Sequence, residues 1–179
     1  MRLAEGRGGR EAEWELACRW ATGWLHAARR VVPAASRAEG VLLFDSSDRL
    51  DHESLQVQAL ELAIRRTGFR SLLLSSDLAP ERVARAMRAV EPTAFVFCGG
   101  HATLDVLGRL VYTVRQVGSA APVFEYRDAM PVTGNHSIPS LGLVPTEAAE
   151  RLKAFVDTRH LEHRGAVVAL GSESVRLPA

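Results

Sequence analysis

Short apolar runs that alternate with amphipathic stretches of helical period constrain this chain most. Val41-Leu42-Leu43-Phe44-Asp45 is followed by a helical pattern over 52–66, with Leu55, Ala59, Leu62 and Ala63 on one face. Gly68 marks its stop. Ser71 to Ser75 is a second run, followed by a helix over 80–90 with Pro80 in its first turn. Thr93 to Cys98 is a third run, followed by a helix over 102–117. Pro122 to Tyr126 is a fourth and Ile138 to Val144 a weaker fifth, with a last helix over 145–157. Runs without internal alternation suit strands covered on both faces. Strand and helix in strict succession predict an α/β fold: a doubly wound, parallel, five-stranded sheet of flavodoxin-like order.

The expected organisation has four parts. Residues 1–10 are read as a disordered, Gly/Arg-rich lead-in and 11–33 as an amphipathic helix closed by Pro33. Residues 40–158 form the sheet domain. The tail, 159–179, carries one more apolar run, Ala166 to Leu170, read as an added edge strand or a flexible end. On the first helix, Trp14, Ala17, Ala21, Trp24 and Leu25 share a face at i, i+3, i+4, i+7 spacing. A stripe of that size with no bundle to bury it predicts a homodimer contact.

With 179 residues and a net charge of +1, the chain has no overall electrostatic case for nucleic acid or membrane. The two cysteines, Cys18 and Cys98, form neither a disulfide framework nor a zinc pattern, which suggests a reducing, cytoplasmic setting. No Walker loop and no G-x-G-x-x-G occurs.

In an open α/β sheet, ligands bind outside the carboxyl ends of the strands. The candidate ligand-binding residues are therefore those that follow each strand. They are Asp45, Ser46, Ser47 and His52; Ser75 and Ser76; Cys98, Gly99, Gly100 and His101; and Tyr126. No catalytic set and no metal-ligating set is read among them. Cys98-Gly99-Gly100-His101 is the sharpest local phrase. It is read as a tight turn with a small half-buried thiol, with a low-pKa Cys98 beside His101 as the enzymatic alternative.

Glu13-Trp14, Trp24 to Arg30 and Val41 to Gly100 resemble the C-terminal sensor region of MerR-type bacterial transcription regulators, whose fold is the cobalamin-binding domain. The resemblance implies a non-enzymatic regulatory domain, with DNA reached only through a domain not present in this chain. It also implies D-x-H-x-x-G after the first strand, whose His ligates cobalt. Here His52 keeps its place, but Leu50 and Leu55 replace the Asp and the Gly. Cys98-Gly99-Gly100 stands at the S-x-L turn, and Glu125-Tyr126-Arg127-Asp128 where a pair of glycines is expected. The site is read as degenerate, with no cofactor, and with action through another small molecule or through oligomerisation. Functional cobalamin binding through His52, for light or B12 sensing, is the alternative.

Overall fold

The computed structural model describes residues 9–47, 52–100, 104–116, 120–129 and 138–173. Helix α1 spans Gly9–Val31, and strand β1 Gly40–Asp45. Helix α2 spans His52–Arg66 and strand β2 Arg70–Ser75, followed by α3 at Pro80–Val90 and β3 at Pro92–Cys98. Helix α4 is Leu104–Gln116, β4 is Val123–Tyr126, and α5 is Pro145–Glu173. The strands form one parallel sheet in the order β2-β1-β3-β4.

Side chains alternate across the sheet, so β1 feeds two cores. Val41 and Leu43 point to one face, where Val57, Leu60 and Ile64 of α2 and Leu152 and Val156 of α5 cover them. Leu42 and Phe44 point to the other, beneath Val83 and Met87 of α3 and Leu107, Leu110 and Val114 of α4. Phe44 stacks on Phe95 and Phe97, with ring centroids 6.4 and 5.5 Å apart. All four β1 apolar side chains are at most 1% exposed.

Two expectations change. Among the described residues the sheet has four strands, not five. The run Ile138–Val144 makes one parallel bridge, Ser140 to Glu125. Pro139 has no N–H to extend the ladder. Gly142, at φ 90°, then turns the chain into α5, and a Cβ there would lie 2.6 Å from the Arg151 guanidinium. The run 166–170 adds no edge strand, because α5 continues through it to Glu173. A helix closes its own backbone hydrogen bonds, whereas an isolated edge strand depends on a partner for half of them.

Helix α1 packs on α2 and turns Cys18 (1% exposed) and Leu25 (7%) inward. The polar centre of this contact is Glu61 of α2, itself 1% exposed. Arg29 Nε of α1 lies 2.6 Å from Glu61 Oε2, an ion pair whose angle falls outside hydrogen-bond geometry. Arg65 donates to Glu61 Oε1, and Ser71 Oγ of β2 donates to the same oxygen at 2.8 Å. One carboxylate thus joins two helices and the edge strand. Removing one member of a buried ion pair costs about 3–5 kcal/mol, and the arginines' partial access to water sets the lower end here. Glu61→Ala is expected to lower stability by about 3 kcal/mol, a fall in Tm of about 6–12 °C for a domain this long. Thermal unfolding followed by circular dichroism checks it; a drop within about 2 °C would show that the carboxylate is dispensable.

Candidate functional site

The carboxyl ends of the strands bring the predicted residues together, and most of them bond to one another. Ser46 directly follows β1, with its N–H on Cys98 O at 3.0 Å and its hydroxyl 2.6 Å from Gly99 O. Gly99 is buried at φ 82°, and a Cβ there would stand 2.6 Å from Ser47 N, so the β3 turn closes directly on the β1 turn. Asp45 accepts from Ser47 N at 2.9 Å and from the Ser47 hydroxyl. Burial raises the Asp45 carboxyl above its usual range against those two hydrogen bonds, with the charge of Glu53 adding to the rise. Ser76 N donates to Asp45 O at 2.8 Å, and Ser75 Oγ accepts from Asp77 N at 3.3 Å.

Arg127 and Glu53 are a pair the sequence did not single out. Arg127 Nε and Nη2 grip the Glu53 carboxylate at 2.8 Å each, which joins the end of β4 to the first turn of α2. Arg127 Nη1 also donates to Leu143 O at 3.2 Å. Arg127 sits at φ 60° and Asp128 at φ 52°, the left-handed region that favours glycine. Tyr126 is fully buried, donates to Leu143 O at 3.1 Å, and has its phenol pushed up to about 12 by burial. His52 Nε2 is 3.1 Å from Gln56 Nε2. Gly100 is exposed, while His101 lies outside the described residues.

Cys98 is 1% exposed and its thiol donates to Val96 O at 3.8 Å. Burial, with Asp45 nearby, holds its pKa well above that of a free thiol. The enzymatic reading needed a lowered pKa and access to water, and Cys98 has neither.

Among the described residues, two cavities beyond this cluster stand out. One of about 190 Å³ follows β2, between α3 and α4, and includes Ser76, Pro80 and Arg109. The other, about 310 Å³, opens at the opposite edge of the sheet, where the strands begin. Its walls are the end of α1, the linker at Val32-Pro33-Ala34-Ala35, and the entry to β2. Arg29, Arg65 and Arg70 line it and no acid does. Arg65 Nη2 donates to Ser71 O at 3.2 Å, and Arg70 Nη2 donates to Ala38 O at 2.5 Å. Arg29 Nη2 is buried without a hydrogen-bond partner. The helical periods revealed no such site, because its three arginines come from α1, α2 and β2.

No family model matches the sequence, and no curated protein matches it. Among solved structures, the luciferase-like enzyme of the mealworm Zophobas morio aligns over 78% of this chain at 10% identity, with a TM-score of 0.38. The metal-soaked flavodiiron core from Synechocystis aligns over 76% at 19% identity and 0.41. A red-emitting luciferase from Phrixothrix hirtus aligns over 77% at 8% identity and 0.39. This chain spans 27%, 40% and 27% of those three proteins. Two of them are named as a luciferase or a luciferase-like enzyme, and on that finding the expectation that this chain is not an enzyme is withdrawn. Likenesses at this level assign no reaction to it.

In the folded protein Cys98 should resist a water-soluble disulfide reagent at neutral pH and react only on unfolding. Absorbance of the released thiolate, with and without denaturant, measures this; fast native labelling of Cys98→Ser-sensitive character would restore the reactive thiol.

Proposed function

We propose that this chain is a small-molecule-responsive regulatory domain, related to the C-terminal sensor region of MerR-type regulators, whose ligand is a small organic anion rather than cobalamin. The basic cavity beside α1 carries this reading. Its volume of about 310 Å³ suits a compact metabolite. The guanidinium groups of Arg29, Arg65 and Arg70 stand there against the single carboxylate of Glu61. Arginine presents paired N–H groups that match carboxylate or phosphate oxygens, and a concave wall of one sign concentrates ligands of the other.

The relation to the MerR-type sensors draws support from the β2-β1-β3-β4 order and from the turn after β4. Arg127 and Asp128 hold positive φ where the resemblance expects two glycines, so the turn keeps a glycine-like backbone with large side chains upon it. Those side chains do not fit a corrinoid. The Arg127–Glu53 pair spans from β4 to α2 directly beside His52, and the Ser46 hydroxyl already satisfies Gly99 O where a nucleotide tail would lie. DNA contact through a separate domain, and a cytoplasmic setting, belong to the same proposal. Among the described residues no helix is long and apolar enough to cross a membrane.

Citrate and inorganic phosphate, titrated at constant ionic strength, should raise Tm. A ligand at one hundred times its Kd adds about 2.7 kcal/mol, or roughly 5–11 °C for a domain of this length. Arg70→Gln, at an exposed position, should abolish most of that shift with little change in the ligand-free Tm. Equal shifts in the variant and in a chloride control would remove the anion site. Hydroxocobalamin mixed with the protein and desalted should leave a colourless protein fraction; retained colour would return the corrinoid reading.

A further inference from the structure

The apolar face that α1 turns to solvent is wider than its first period suggests. Of Trp14, Ala17, Ala21, Trp24 and Leu25, the first two and Trp24 are exposed, Ala21 is half-buried and only Leu25 is buried. A second stripe runs along the outer side: Leu16 at 69% exposure, Trp20 at 72%, Gly23, Trp24, Ala27 and Val31 at 81%. At about 100° per residue these six fall within one sector of the helix, away from Cys18 and Leu25.

The spacing of this stripe is four, three, one, three, four, which reads the same from either end. Two identical helices packed antiparallel about a two-fold axis need such a pattern, because each residue meets its mirror position in the partner. The pairs are then Leu16 with Val31, Trp20 with Ala27, and Trp24 with Gly23. Each indole falls opposite a small residue, so large and small alternate across the seam. Gly23 is unfavourable inside a helix, and a Cβ there would meet nothing within 4 Å in the single chain. In the pair, its missing side chain makes room for the partner's Trp24.

Charge fits the same arrangement. The first half of α1 carries Glu11, Glu13 and Glu15 against Arg10 and Arg19, and its last turn carries Arg29 and Arg30 without an acid. Glu15 is taken by Arg19 at 2.6 Å, and Arg29 by Glu61 at 2.6 Å. Glu13 at one end and Arg30 at the other lie on or beside the stripe and are left to face a partner. Antiparallel pairing brings those ends together and opposes the two helix dipoles. Four indoles with the flanking aliphatic groups bury on the order of 1,000 Å² in total, the lower range of specific interfaces.

We infer that the outer stripe of α1 is a self-association surface, and that a second copy of this chain covers it in antiparallel register. The surface stands apart from the basic cavity, and it holds whichever ligand that cavity takes.

Sedimentation equilibrium at tens of micromolar should give a dimer, and Trp20→Glu should give a monomer with an unchanged circular dichroism spectrum. The register is read with cysteines. Leu16→Cys combined with Val31→Cys should form interchain disulfides under mild oxidation, whereas each alone should not, because like positions lie about 22 Å apart along antiparallel axes. Cys18 and Cys98 are buried and do not interfere. A monomeric native chain would mean that another protein, or the chain's own first residues, covers the stripe, and would overturn the inference. Equal crosslinking by the single variants would overturn the antiparallel register.

Discussion

The rest of the structure depends on one buried carboxylate. Glu61 occupies a position on α2 where its neighbours Leu60, Leu62 and Ile64 are core, and a charge placed there is tolerable only when paired. The pairing is what recruits α1. Without Arg29, the inner face of α1 would offer α2 little beyond Cys18 and Leu25. With it, the helix acquires a fixed rotation about its own axis, and that rotation decides which apolar stripe is hidden and which is shown.

The two ends of the sheet have been put to different use. At the carboxyl ends, the hydroxyls of Ser46 and Ser47 and the Arg127–Glu53 pair satisfy groups that an open ligand cleft would leave for its ligand. The amino-terminal edge shows the reverse. There the guanidinium groups outnumber the acids, and Arg29 Nη2 is buried with no hydrogen-bond partner. An unpaired buried donor costs free energy until a partner reaches it. Among the described residues, this contrast is what supports the proposed anion site at the cavity rather than at the crevice.

Much of the architecture was legible because it follows from local rules. Val41 to Phe44 and Ala94 to Cys98 are continuous apolar runs of strand length, and their burial on both faces is what such runs predict. The weak fifth run was over-read, since Pro139 and Gly142 within it act against a ladder. The tail was misread because an apolar run alone does not separate a strand from a helix. On α1 the period was right and the face incomplete. Two apolar stripes share that helix, and only the long-range pair Arg29–Glu61 selects between them. At the candidate site, the loops that follow the strands were predictable from topology. Whether their side chains bind a ligand or one another depends on contacts across dozens of residues, such as Ser46 with Gly99 and Glu53 with Arg127.

These features meet in α1. Its last turns form a wall of the basic cavity, and its outer side carries the palindromic stripe from Leu16 to Val31. An anion held by Arg29 and Arg65, as proposed, would compete with Glu61 for the same guanidinium groups, so its binding would act directly on the contact that sets the rotation of α1. A ligand can shift an equilibrium only through its differential affinity for two states, and here the states differ in how firmly α1 is held on α2. Linkage then makes the coupling reciprocal: whatever the anion does to pairing of α1 helices, pairing does to anion affinity by the same factor. Coupling between the proposed cavity ligand and the proposed pairing surface would need no path through the sheet, because both are built on one helix.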